Sequence, residues 1–157
     1  MHGGGQEYGL RSGTVNLPMA VSMVKSIKLT MGRLDEARRK LNKMNQSVRT
    51  FLEEFRGVYI NSPKDSAPQI INVSFPGVKG EVLVNAFSKH GVMISTTSAC
   101  SSKRGKLNEV LLAMGVPDAR IEGSIRISMG VHTTEEDIQR FKEVFEEVYE
   151  EVKELLK

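Results

Sequence analysis

The chain has 157 residues, a formal net charge of +3, 39% apolar and 26% charged residues, one cysteine and three histidines. That length suits one ordinary domain with a real core, and no apolar run is long enough to span a bilayer. A lone cysteine excludes an internal disulfide and, with three scattered histidines, a closed zinc site or an iron–sulfur cluster, so the expected compartment is the cytosol.

Charge is unevenly spread. Residues 31–56 carry seven Lys/Arg against four Asp/Glu, and residues 135–157 carry nine Asp/Glu against four Lys/Arg. Two oppositely charged helices fit either solvated faces or separate partner surfaces. The basic stretch has no interleaved aromatic residues and no recognition motif, so no nucleic-acid partner is expected.

The chain opens on a glycine-dense stretch, residues 3–14, with no strand-forming run and no apolar face. It reads as a linker or tag remnant, or as a loop whose backbone donors, arginine and hydroxyl approach an anion. Its spacing fits neither a Walker loop nor a dinucleotide fingerprint. Residues 15–30 show helical apolar spacing at Leu17, Met19, Ala20, Met23, Val24 and Ile27, with Pro18 in the first turn and Gly32 as a break. A second helix is expected over residues 34–55, with Leu34, Ala37, Leu41, Met44, Val48, Phe51 or Leu52, and Phe55 on one stripe. Its length of roughly 33 Å suits a connecting helix, which assigns residues 1–30 to the end of another domain, 31–56 to the connector and 57–157 to a small domain.

Short strands are expected at 58–60, 68–75 and 92–95. Between the last two lies a helix over 81–89, with Val82, Leu83, Ala86 and Phe87 inward and Gly91 as its C-terminal cap. A short helix is expected over 106–114, stopped by Gly115 and Pro117. A fourth strand, 123–129, alternates Ile125, Ile127 and Met129 with Ser124, Arg126 and Ser128. The last helix starts at a capping box of Thr133 and Glu136, and its inward face is Ile138, Phe141, Phe145, Val148, Val152 and Leu155. The expected fold class is α+β: a small, largely antiparallel sheet with helices packed on one side, preceded by a long helix.

The strand at 92–95 delivers Ser95-Thr96-Thr97-Ser98-Ala99-Cys100-Ser101-Ser102, which holds the one cysteine among small hydroxylated residues. Lys103, Arg104 and Lys106 follow, and nearby cations favour the reactive thiolate. On residue chemistry alone the alternative is a small, half-buried cysteine in a serine-rich loop. The histidines at 2, 90 and 132 show no partner in sequence and receive no catalytic role, and no metal ligands are assigned.

Three stretches taken together resemble the cysteine desulfurases of the NifS/IscS type, pyridoxal-phosphate-dependent enzymes within the class V aminotransferases. They are His2-Gly3-Gly4-Gly5-Gln6-Glu7 through Gly9-Leu10-Arg11-Ser12-Gly13-Thr14, Ser98-Ala99-Cys100-Ser101-Ser102, and Ser124-Ile125-Arg126-Ile127-Ser128-Met129-Gly130. The resemblance implies the C-terminal small domain of a fold-type I enzyme together with the end of its cofactor domain. It implies that Cys100 is the nucleophile that takes sulfur from L-cysteine as a persulfide and releases alanine. It further implies that Arg126 binds the substrate carboxylate and that Thr14 reaches the pyridoxal 5'-phosphate of the other subunit in a homodimer. Thr14 as the N-cap of the following helix is compatible with that role. Sulfur would pass to an acceptor or an iron–sulfur scaffold protein.

The sequence departs from the family in two places. No His-Lys pair is present for the cofactor, so these residues are expected to be inactive alone and to hold no cofactor stably: a shortened or split-gene product that the missing N-terminal half would complete. The second is Thr97, where the family often has glycine. A different class of reading is a non-catalytic sulfur carrier or partner-binding module using Cys100. Freed of the larger domain, Leu17, Met19, Met23, Val24 and Ile27 would drive self-association.

Overall fold

The structure, a computed structural model, describes residues 3–96 and 108–156. It divides into two units, residues 1–36 and 37–157. In the first, a turn of 3-10 helix at Gln6–Gly9 precedes helix α1 (Leu17–Met31). Asn16 caps α1, its Oδ1 accepting from the Met19 N–H at 3.1 Å, so Thr14 is not the N-cap. Asn16 wins because Pro18 occupies the first turn, where no N–H is needed. No residue of α1 is buried. The boundary between the units falls in the first turn of α2 (Leu34–Leu52), whose 19 residues span about 28 Å. Expected at the head of the α2 stripe, Leu34 is exposed, and the helix ends before Phe55.

The second unit is built on four antiparallel strands in the order β1-β2-β4-β3: β1 (Tyr59–Ile60), β2 (Ile70–Ser74), β3 (Ser95–Thr96) and β4 (Ser124–Ser128). The two long strands pair in register, Ile71 with Ile127 and Val73 with Ile125. Because side chains alternate across a strand, these four residues share one face with Phe75 and Met129. That face carries the core, closed by α2, α3 (Gly80–Lys89) and α6 (Glu135–Val152). Phe75, Phe87 and Phe145 are fully buried at its centre, and Phe51, Phe55, Phe145 and Tyr149 form edge-on ring contacts at 4.8–5.5 Å. The α+β expectation holds.

Several local expectations are corrected. Val82 is exposed, while Leu83, Ala86 and Phe87 of α3 are buried in the core with Val84 packed at its edge, and Leu155 is exposed just beyond the end of α6. Residues 92–94 are not strand. The Gly91 turn (φ +78°) sends Val92 N–H back to Phe87 O, and pairing starts only at Ser95. The α6 capping box is one residue later than expected. Thr134 accepts from the Asp137 N–H at 3.1 Å, and Asp137 accepts from the Thr134 N–H at 2.8 Å. The Thr133 hydroxyl is taken by the Gly130 N–H at 2.9 Å. Helix α4 is shorter than expected (Glu109–Ala113), capped by Asn108, whose side chain accepts from the Val110 and Leu111 N–H groups. Helix α5 (Asp118–Glu122) was not expected at all.

Candidate functional site

The sheet face opposite the core is polar, and the residues on it follow from strand alternation. On β4, burial of Ile125 and Ile127 turns Arg126 outward. It stands opposite Asn72 of β2 on one side and Ser95 of β3 on the other. Asn61 extends the row past β1, its N–H donating to Asn72 O at 2.8 Å. Asn61, Asn72, Arg126 and Ser95 therefore form one line across four strands.

Arg126 is exposed, and among the described residues its guanidinium has no hydrogen bond or ion pair. Planar and always charged, it is a ready fork for a carboxylate. Beside it the network is closed. Asn61 Nδ2 donates to Asn72 Oδ1 and to Ser74 Oγ, both at 2.6 Å, and Asn72 Nδ2 donates to Ile125 O at 3.0 Å. Asn61 Oδ1 accepts from Arg120 Nη2 of α5 at 2.7 Å. The Arg120 guanidinium lies over the Tyr59 ring, 4.5 Å from its centroid, and its Nε is buried with no acceptor among the described residues. An unmade bond of this kind costs about 1–3 kcal/mol, so the contacts made by the rest of the group offset a real penalty. None of Asn61, Asn72 and Arg120 was singled out from sequence. A five-residue helix has too few positions to show a period, and strand-end asparagines look like ordinary turn residues.

Two glycines allow this face to be assembled. A Cβ on Gly80, at the start of α3, would lie 2.9 Å from Ser124 O and 3.2 Å from Thr96 Cγ2. A Cβ on Gly123 would lie 2.2 Å from Phe75 O and 2.6 Å from Val78 O. α3 and the turn into β4 thus sit directly against β3 and β4, holding the strand that leads to the cysteine segment. Cys100 itself, with Thr97, Lys103, Arg104 and Lys106, lies outside the described residues.

Thr14 belongs to the first unit and Arg126 to the second. Around Thr14 the glycine segment closes on itself: the Ser12 hydroxyl is buried and donates to Gly4 O, and Arg11 Nη1 donates to Ser12 O at 2.6 Å. Gly13, at φ +116°, takes a conformation that a side chain would strain. The Thr14 side chain is exposed and unbonded among the described residues.

Of the histidines, His90 sits at the α3 terminus with Nδ1 2.8 Å from Glu147 Oε2, and His132 is exposed. Among the described residues, no cluster of three or more His, Cys, Asp or Glu could hold a metal ion, and no helix is long and apolar enough to cross a membrane.

Residues 3–141 match the aminotransferase class-V family. The chain is 36% identical over 159 aligned residues to the cysteine desulfurase IscS of Clostridium botulinum, covering 99% of this chain and 40% of that protein. It is 36% identical over 140 residues to cysteine desulfurase IscS of Dictyoglomus turgidum, covering 88% and 36% of the two chains. Among solved structures, a NifS-like protein superposes with a TM-score of 0.79 at 35% identity, over 96% of this chain and 38% of that one. A NifS-like protein from Rickettsia africae gives 0.78 at 28% identity, over 96% and 39%. The chain thus spans about two fifths of the length of these relatives. With the glycine segment, the outward arginine strand and the antiparallel small-domain sheet in one order, the chain belongs to the class-V aminotransferases.

Proposed function

We propose that these residues form the C-terminal part of a cysteine desulfurase. The observation that carries the reading is the unpaired Arg126 guanidinium beside Ser95, on the strand that runs into Cys100. Cys100 is the fifth residue after Ser95, so the chain keeps the two within about 18 Å. Arg126 would hold the carboxylate of L-cysteine in a two-pronged grip, leaving its sulfur for Cys100.

The Cys100 thiolate attacks that sulfur. An S–S bond forms and the substrate's Cβ–S bond breaks, its electron pair ending in a C–H bond as a proton adds. Alanine leaves, and Cys100 carries a persulfide. Lys103, Arg104 and Lys106 favour the attacking thiolate. Bound pyridoxal 5'-phosphate would supply the electron sink that makes C–S cleavage possible. The fit of this chain to that group rests on the exposed Thr14 hydroxyl beside Gly13, a donor set suited to a phosphate. The lysine that binds the cofactor would come from sequence outside these 157 residues. In this reading the protein acts as a cytosolic homodimer, with Thr14 serving the partner's cofactor, and hands sulfur to an acceptor protein or iron–sulfur scaffold.

The test is to isolate the protein from its own source through a C-terminal tag and to record its mass, absorbance and alanine release from L-cysteine. The expected product is yellow and makes alanine, and Cys100 gains one sulfur atom by mass. Cys100→Ser should abolish the persulfide, and Arg126→Gln should raise KM. A colourless chain of 17.4 kDa that releases no alanine would overturn the reading. Persulfide accepted on Cys100 from another desulfurase, without cofactor, would replace it with a sulfur carrier.

A further inference from the structure

From the hydrogen bonds of the outer sheet face, we infer that Arg120 is a positioning residue for Arg126, acting through a directional relay of two asparagines. The inference rests on the reading of Arg126 as the carboxylate site. A guanidinium has donors and no acceptor, so the atom of an asparagine amide that it bonds must be the oxygen. Arg120 therefore fixes which way the Asn61 amide points: its Oδ1 meets Arg120 Nη2 at 2.7 Å, and its Nδ2 is directed at Asn72 Oδ1 and Ser74 Oγ. Asn72 then has its own oxygen engaged, and its Nδ2 is directed at Ile125 O. That carbonyl belongs to the peptide group whose nitrogen is Arg126's own. Donor direction set at α5 is thus transmitted across β1 and β2 to the peptide plane of the substrate arginine.

Two features argue that this is built for orientation. The Arg120 guanidinium sits 4.5 Å from the Tyr59 ring centroid, and it is present although its buried Nε makes no bond among the described residues. A leucine or methionine could fill the same space beside Tyr59 without that penalty. It would also leave Asn61 Oδ1 without its donor and remove the hold on the Asn61 amide at the α5 end of the line.

The test has two arms. In nitrogen-15 spectra of the 157-residue protein, Arg120→Met should shift the side-chain amide resonances of both Asn61 and Asn72, and Arg120→Lys, which still only donates, should leave them near their parent positions. In the protein isolated through a C-terminal tag, Arg120→Met should raise KM for L-cysteine about tenfold with kcat within about twofold, and Arg120→Lys should restore it. Asn61→Asp keeps the acceptor for Arg120 and removes the donor to Asn72, so it should raise KM similarly. The double variant should be no worse than either single one, because both break one line.

Unshifted Asn72 resonances in Arg120→Met, or KM effects that multiply in the double variant, would overturn the relay. Shifted resonances with an unchanged KM, where Arg126→Gln does raise KM, would overturn its service to Arg126. An Arg126→Gln protein with parental KM would overturn the carboxylate reading and the inference with it, whatever the amide spectra show. If Arg120→Met does not fold, Arg120→Lys and Asn61→Asp still decide between these outcomes.

Discussion

Ser95 and Arg126 are direct register partners across the β3–β4 ladder, so the residue that leads into the cysteine segment flanks the one unburied cation of β4. A carboxylate at Ser95 would face Arg126 at cross-strand distance. Ser95→Asp is expected to give the guanidinium an internal partner and to raise KM for L-cysteine severalfold. Ser95→Asn, similar in size and neutral, is expected to leave KM within about twofold. Steady-state kinetics on the two variants checks this, and equal KM values would show that no carboxylate competes at Arg126.

Gly123 has an ordinary φ of −93°, so its requirement is one of space. Gly123→Ala drives a methyl group into the carbonyls of Phe75 and Val78, both backbone atoms that cannot swing aside. A loss of about 3 kcal/mol is expected in urea unfolding. Gly130→Ala meets nothing within 4 Å and is expected to change stability by no more than about 0.5 kcal/mol.

Arg49 is a buried cation held, among the described residues, without a carboxylate. Its Nε donates to Asn45 Oδ1 at 2.8 Å, and its Nη2 donates to Ser62 O and Pro63 O at 2.9 and 2.8 Å. It ties α2 to the loop between β1 and β2. Arg49→Leu strands Asn45 Oδ1 and Ser62 O, while Pro63 O keeps the Ser66 hydroxyl as a donor, and is expected to cost about 3 kcal/mol. Lysine cannot span all three, so Arg49→Lys should recover only part of that loss. Denaturant midpoints at equal m-values give the comparison.

Thr134→Ala removes the hydroxyl that caps α6 and is expected to cost about 1 kcal/mol, against a smaller loss for Thr133→Ala, whose hydroxyl serves only Gly130. The same cap has an acid signature. Hydrogen bonds from the Thr134 backbone and hydroxyl hold the Asp137 carboxyl below its usual range. A depressed folded-state pKa means that the contribution is complete above the unfolded aspartate value and disappears as pH falls through the folded one. The difference between the parent and Asp137→Asn should therefore narrow on acidification through that window. A constant difference would show that the carboxylate charge contributes nothing at this cap.

Strand alternation alone put Arg126 outward and Ile125 and Ile127 inward, because β4 is long enough to show a period of two. The antiparallel sheet and the buried faces of α2 and α6 were legible for the same reason. Elsewhere two neighbouring residues competed for one role. Thr133 and Thr134 each stand three residues before an acid, and only the turn at Gly130 decides between them. The Asn61–Asn72–Arg120 line could not be read from the sequence at all. Its members come from three segments, and their union depends on the sheet order and on where α5 rests.

At one margin of the sheet, β1 is only two residues long, and the five-residue strands β2 and β4 lie inside it. A sheet that is polar on one face and open to solvent invites other chains to add themselves along its margins. Here the β1 margin offers too short a row of backbone donors and acceptors to template such growth. On that side the polar face can stay uncovered without the edge becoming a seed for fibrils.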